Sequence, residues 1–326
     1  MPDVRQVART RQLFRQSQRL QHRPKVRWRK SSNQSFLMTP VKSIQSIRYV
    51  STLTALVMIA FAANSILVRL ALSTASIGPL AFSIIRLLAG AVVLTIIAKP
   101  RITIGSGSWT SAFYLLTYVV FFSYAYLSLD AGTGALILFA TVQIVMVGQG
   151  IRQGERLSLR QWAGMTLACA GLFFLLSPGM TASPNPLGSL LMGLAGSGWA
   201  LYSLRGRQAE SPTRATAGNF AKASVYVLAV GTLLLVLIPE QLPSSKGILL
   251  ALSSGAVTSG LGYALWYKVL PQLPATRASV AQLSVPAIAA IGGIVFLGEA
   301  VSARLLVTTA LVLGGVALAT LDRARR

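Results

Sequence analysis

GERLSLRQWAGMTLACAG occupies residues 154–171, and GEAVSARLLVTTALVLGG occupies residues 298–315. Gly154-Glu155, Ser158 and Gly171 in the first stretch return as Gly298-Glu299, Ser302 and Gly315 in the second, each 144 residues later. Upstream, Arg69 and Arg86 have counterparts in Arg205 and Lys222 at a spacing of 136, a difference absorbed by the longer turn from Pro271 to Pro274. Self-similarity at a fixed spacing, with the matches in one order, is the mark of a duplicated unit.

Each copy is built of apolar runs long enough to cross a bilayer as helix, for which roughly 17–25 residues are needed. Ten such runs are read, at 50–72, 79–98, 108–129, 131–151, 159–176, 186–206, 215–238, 247–270, 275–297 and 302–321. Pro and Gly mark the joints, as at Gly78-Pro79, Lys99-Pro100 and Pro184-Asn185-Pro186. The predicted fold is therefore an all-α integral membrane protein, with residues 50–176 as one five-helix repeat and 186–321 as the other.

Cations set the orientation, because Lys- and Arg-rich loops stay in the cytoplasm. Twelve of the thirty Lys and Arg residues lie in the first 49 positions, where Asp3 is the only acid. Arg101, Arg152, Arg156, Arg207, Arg214 and Arg277 continue the pattern in every second loop, and Arg323, Arg325 and Arg326 end the chain. The loops 73–78, 130–133 and 177–185 carry no cation. Both termini are thus expected on the cytoplasmic side of the membrane. Because five is odd, the second repeat is predicted to lie upside down relative to the first, an arrangement that leaves a binding cavity near the midplane between the halves.

The net charge of +23 belongs to this topology rather than to nucleic-acid recognition, since the cations sit in a tail and short loops. The only histidine, His22, is in the basic tail, and the only cysteine, Cys169, is in an apolar run, so no metal site, disulfide framework or catalytic triad is expected. No glycine-rich phosphate loop with a lysine is present, so neither a nucleotide cofactor nor an enzymatic role is expected. None of Asp130, Glu155, Glu210, Glu240, Glu299 and Asp322 falls within a predicted span. A proton-driven exporter of lipophilic cations usually depends on an intramembrane carboxylate, which disfavours that mechanism here.

Ionisable residues inside a span are costly and are functional candidates by default. Arg86 stands about two turns into the second span and Lys222 about two turns into the seventh, pseudo-symmetric mouths of one cavity suited to an anionic or zwitterionic solute. The competing reading is that both snorkel to the headgroups, which is favoured for Arg69. Trp199 and Tyr202, one turn apart in mid-span, offer stacking surfaces. Asn64, Gln143, Gln282, Tyr118, Tyr124, Tyr263 and Trp266 complete the candidates, each also readable as helix packing. Glu155 and Glu299 are expected to cap the helices that follow them or to pair with a nearby Arg. Gly255 with Ser259, and Ala310 with Gly314, read as surfaces for close helix approach.

Ile85-Arg86-Leu87-Leu88-Ala89-Gly90, Gly134-Ala135-Leu136, Gly154-Glu155-Arg156-Leu157-Ser158 with Gln161-Trp162-Ala163-Gly164, Leu283-Ser284-Val285-Pro286 and Leu297-Gly298-Glu299-Ala300, in this order, resemble the EamA type of the drug/metabolite transporter superfamily. The resemblance covers about residues 50–321 and implies ten helices, inverted repeats and export or exchange of metabolites, commonly amino acids or related compounds. The chain departs from the pattern at Thr141-Val142-Gln143, where a proline is usual; Pro286 keeps it in the second half. The fourth helix is accordingly expected to run unbroken. A non-transporting receptor or scaffold is the alternative, and it would need a large soluble domain or an exposed interaction surface. Residues 1–49 have three readings: a disordered arm on anionic lipid, a transit peptide, or sequence upstream of a start at Met38. The composition fixes no oligomeric state.

Overall fold

A computed structural model describes residues 40–99, 105–154, 156–177, 183–206, 209–237, 239–273, 278 and 281–321. The expectations for Met38, most of the basic tail, Glu155 and residues 322–326 lie outside the described residues. The compact unit that begins at Ser46 holds everything that follows.

The described residues are helical throughout, joined by short turns: α1 (Pro40–Ser73), α2 (Pro79–Ala98), α3 (Trp109–Ala125), α4 (Ala131–Arg152), α5 (Leu159–Leu176), α6 (Pro186–Gly206), α7 (Pro212–Leu237), α8 (Ser245–Gln272), α9 (Ser284–Leu297) and α10 (Ala303–Leu321). Seven of them, all but α3, α9 and α10, are long and apolar enough to cross a membrane. Large apolar side chains such as Phe173, Val236 and Phe296 lie on outward faces, which in water would be unstable and in lipid are at home.

The residues matched at a spacing of 144 do the same local work in both places. Gly154 and Gly298 end α4 and α9 at φ +88° and +67°, a left-handed conformation that a side chain would strain. Ser158 and Ser302 then start α5 and α10, their hydroxyls accepting from the amides of Gln161 (3.3 Å) and Leu305 (3.1 Å). Gln161 completes a capping box on α5. Gly171 and Gly315 lie in the contact between α5 and α10, where a Cβ on Gly315 would come 2.5 Å from the carbonyl oxygen of Gly164. Gly314, expected with Ala310 to be the packing surface, has open space beside it; its neighbour makes the contact instead.

Three helix pairs run antiparallel, as their end contacts show. The start of α2 meets the chain after α7, with Leu80 and Ala81 amides donating to Glu240 (3.0 and 3.1 Å). The turn after α2 meets the start of α7 through Ser106 Oγ to Arg214 O (2.9 Å). Glu299, after α9, accepts from the first amide of α4, Ala131 (2.9 Å). Arg304, opening α10, donates to the last carbonyls of α5 at Phe174 (2.7 Å) and Ser177 (2.5 Å). α3 packs on α6 and α7, α4 on α6, and α2 on α8.

Of the two readings of Glu299, pairing with an arginine is the one borne out: its carboxylate lies 3.4 Å from Arg69 Nε, and the helix it caps is α4, across the molecule, rather than the α10 that follows it. Arg69 is consequently no snorkelling residue: it also pairs with Asp130 (3.4 Å) and donates to the Tyr126 carbonyl (3.0 Å). In the ninth segment Ala278, Ala281 and Gln282 are helical, Leu283 is a turn and α9 runs on from Ser284, so Pro286 lies in the first turn after a break, where a missing amide hydrogen costs nothing. α4 runs unbroken through Thr141-Val142-Gln143, as expected.

Candidate functional site

The site is built around Arg86, two turns into α2. Its side chain is fully buried (0% exposed), which removes the snorkelling reading. It is brought there by a close approach of α2 to α8, whose middle, Ser254–Leu261, widens into a π-helix. Such a bulge is uncommon and often marks a functional position. Here it turns Ser259 toward Arg86, whose Nε donates to Ser259 Oγ (3.2 Å). Arg86 Nη2 donates to the Tyr118 hydroxyl (3.0 Å), and the guanidinium carbon lies 5.1 Å from the Tyr118 ring and 5.2 Å from Phe122. Nη1 has no partner, although it is buried. The ion pairs among the described residues belong to Arg69, so Arg86 has no acidic partner there.

Tyr118 Oη also accepts from Asn64 Nδ2 (3.2 Å), which leaves its own hydroxyl hydrogen available. Asn64 Oδ1 in turn accepts from Ser254 Oγ (2.5 Å) and Thr258 Oγ1 (3.0 Å). One polar network therefore ties α1, α2, α3 and α8 around a small cavity of about 20 Å³, space for a water molecule rather than a metabolite. Asn64, Tyr118 and Thr258 form its polar wall and Phe61, Trp199 and Tyr263 its aromatic one. The Trp199 ring is 5.2 Å from both Tyr118 and Tyr263. Arg86 stands behind Tyr118 and Phe122, both of which line the cavity.

Of the candidates from sequence, Arg86, Asn64, Tyr118, Trp199 and Tyr263 converge here. Tyr202 lies beside them, 5.8 Å from Trp199, and its hydroxyl bonds Thr216 (3.3 Å). Lys222 is placed elsewhere: its ammonium donates to the carbonyl of Ser106 (2.5 Å), tying down the turn before α3. Tyr124 donates to Glu240 (3.4 Å) near the start of α2. Gln143 is buried on α4 but does not line the cavity, and Gln282 donates to the carbonyl of Ala278 (3.4 Å). Sequence reasoning missed Phe61, Phe122, Ser254 and Thr258, and it read Ser259 only as a small packing residue.

Outside the core, the Glu299 carboxyl is pushed above its ordinary value of 4.5, chiefly by burial and further by Asp130, against the pull of the Ala131 amide and Arg69. A carboxyl raised in this way binds its proton more tightly in the folded than in the unfolded chain. Stability therefore falls as pH rises from the ordinary carboxyl value through the raised one. Melting temperatures of wild type and Glu299→Gln in detergent are expected to diverge across that window, with wild type gaining on acidification. Parallel profiles would refute this.

The comparison with known proteins fits this architecture. The model of the EamA-like transporter family matches the chain twice, over residues 49–177 and 186–321. This chain belongs to that family. It is a multi-pass membrane transporter by family membership. An uncharacterized protein of Pseudomonas aeruginosa is 45% identical over 278 residues, 84% of this transporter and 95% of the relative. The uncharacterized transporter YoaV of Bacillus subtilis is 23% identical over 77% of this chain and 90% of its own. The threonine/homoserine exporter RhtA of Escherichia coli is 32% identical over 139 residues, 41% of this chain and 46% of the exporter. A solved crystal structure superimposes over 86% of the chain and 99% of its own with a TM-score of 0.62 at 19% identity, a likeness of fold.

Proposed function

We propose that this transporter exports or exchanges a small carboxylate-bearing metabolite, an amino acid or a close relative, by alternating access at the cavity beside Arg86. The observation that carries the reading is Arg86 itself. A buried guanidinium without an acidic partner among the described residues and with one nitrogen unbonded is costly, and it suits a site whose anion arrives with the solute. The Tyr118 hydroxyl supplies a neighbouring donor, and Trp199, Tyr263 and Phe61 supply apolar surface for the rest of the molecule. The partial similarity to a threonine/homoserine exporter points to the same class.

Ten spans in two inverted repeats make the mechanism possible. The double family match supports the duplication, and so do the shared roles of Gly154 with Gly298 and of Ser158 with Ser302. The inversion is supported by the antiparallel course of three pairs that the repeat makes equivalent: α2 with α7, α4 with α9, and α5 with α10. In this reading the turns bearing Glu240 and Glu299 face outward and both termini face the cytoplasm of a bacterial cell. The 20 Å³ cavity is then an occluded core that widens when the halves rock.

The test is efflux from proteoliposomes loaded with a panel of amino acids and their hydroxy- and keto-acid relatives. Saturable flux of at least one carboxylate solute above empty vesicles is expected. Flux confined to cations, or to no solute at all, would sink the proposal.

A further inference from the structure

A second space lies between α1 and α9. It is an open groove of about 630 Å³, within the size range of small-molecule sites, against about 20 Å³ for the central cavity. Along α1 it is bordered by Ser51, Thr54 and Met58, while the central cavity is bordered by Phe61, Asn64 and Ser65. Residues three and four apart share a face of a helix, so Ser51, Thr54, Met58, Phe61 and Ser65 form one stripe. The two spaces are therefore successive stretches of one helix face, with Phe61 at the boundary. Its ring makes edge contacts to Tyr263 (5.7 Å), Trp199 (6.0 Å) and Trp266 (6.0 Å).

The groove opens toward the end of α1 that carries the basic tail. α1 and α9 touch farther along, where a Cβ on Gly292 would meet Ile66 Cγ1 at 3.0 Å, and the groove lies between them toward Val50 and Ser284. The repeat makes this pair equivalent to α6 and α4, which stay packed from Gly188 beside Leu129 to Gly196 beside the Leu138 carbonyl. One of two equivalent seams is closed and the other open at one end. In an inverted-repeat carrier, such a difference between equivalent seams distinguishes the face that is open from the face that is shut.

We infer that the α1–α9 groove is the vestibule through which the transported solute reaches the central cavity from the basic-tail side, and that Phe61 is the gate between them. This rests on the transport reading above. The vestibule carries Ser51, Thr54, Gln272 and Ser284 among apolar neighbours, a lining that suits a small amphipathic solute in transit. Opening requires only that the Phe61 ring leave its three aromatic partners, a side-chain movement that precedes any larger rocking of the halves.

Thiol accessibility tests the gate without a known solute. In a Cys169→Ser background, Ser65→Cys places a thiol in the cavity and Thr54→Cys places one in the groove. The probe is the membrane-impermeant anionic reagent 2-sulfonatoethyl methanethiosulfonate, applied to vesicles of either orientation. Thr54→Cys is expected to react only from the basic-tail side and at a rate indifferent to Phe61. Ser65→Cys is expected to react slowly beside Phe61 and about tenfold or more faster beside Phe61→Ala, from that same side, because the ring contacts that hold the closed state are gone. Phe61→Leu, which keeps apolar bulk but loses the ring, is run in parallel and gives the same discrimination if the Ala variant is not monodisperse. An unchanged Ser65→Cys rate, or acceleration from the opposite side, overturns the gate. A Thr54→Cys that reacts only with a lipid-soluble maleimide overturns the vestibule, since the groove then faces acyl chains. Because labelling needs no flux, an ungated Ser65→Cys in a protein that still transports refutes this inference alone. Gated labelling in a protein that moves no solute upholds it and refutes the choice of solute class.

Discussion

Replacing Arg86 with Met is expected to cut transport of a carboxylate solute by about 30-fold or more while leaving the melting temperature unchanged or raised. The first half follows from the loss of a buried charged partner, which costs about 2–5 kcal/mol in comparable pairs. The second half follows from the resting state. Arg86 is fully buried, its Nη1 is unbonded and no acid among the described residues pairs with it, so the folded protein without solute bears the cost of a desolvated cation. Met fills similar space and removes that cost. Function and stability are thus expected to move in opposite directions, a separation that a purely structural arginine would not produce. Arg86→Lys keeps the charge but not the fork that reaches Ser259 and Tyr118 together, so intermediate transport with a raised KM is expected. Neutral analogues that lack the carboxylate should be insensitive to both changes. Unchanged kinetics for Arg86→Met in proteoliposomes would remove Arg86 from the solute path.

Much of the helical layout was legible because hydropathy, loop cations and the two Gly-Glu stretches are local signals. They placed the helices to within a few residues, except that α1 begins at Pro40, well before its apolar run, and that the ninth segment breaks at Leu283 just before Pro286. The site was legible only in part. Arg86, Asn64, Tyr118, Trp199 and Tyr263 stand out as polar or aromatic residues in apolar runs, and all five converge. Lys222 stands out in the same way yet serves a turn, because which face of α7 it occupies depends on how the loop before α3 folds back. Nothing local distinguishes Ser254, Thr258 and Ser259 from ordinary small packing residues. Their role depends on a π-bulge that is stabilised by contacts with α2 and α1, and one chain segment read alone does not contain those contacts. Phe61 escaped for a simpler reason: one aromatic among many apolar residues gains meaning only when spaces on either side of it are seen.

Gly255→Ala is expected to disturb the same site from behind. Gly255 faces the backbone of α2 so closely that an added Cβ would press on the carbonyl oxygen of Arg86 and lie 2.9 Å from its Cα and 2.8 Å from Ala89 Cβ. None of these is the flexible end of a side chain, so α8 must move away. Gly260 repeats the constraint one turn on, where a Cβ would lie 2.9 Å from Val93 Cγ1. Overpacking of this kind costs about 1–3 kcal/mol, which for a chain of this size lowers the melting temperature by roughly 2–10 °C. The displacement also withdraws Ser259 from Arg86 and Ser254 from Asn64, so transport is expected to fall further than stability does. Gly314→Ala is the matched control, because nothing lies within 4 Å of its added Cβ and alanine is the better helix former. It should melt at or above the wild-type temperature and transport normally. If Gly255→Ala behaves like Gly314→Ala in both assays, the close seam between α2 and α8 does not position Arg86, and the π-bulge loses its functional meaning.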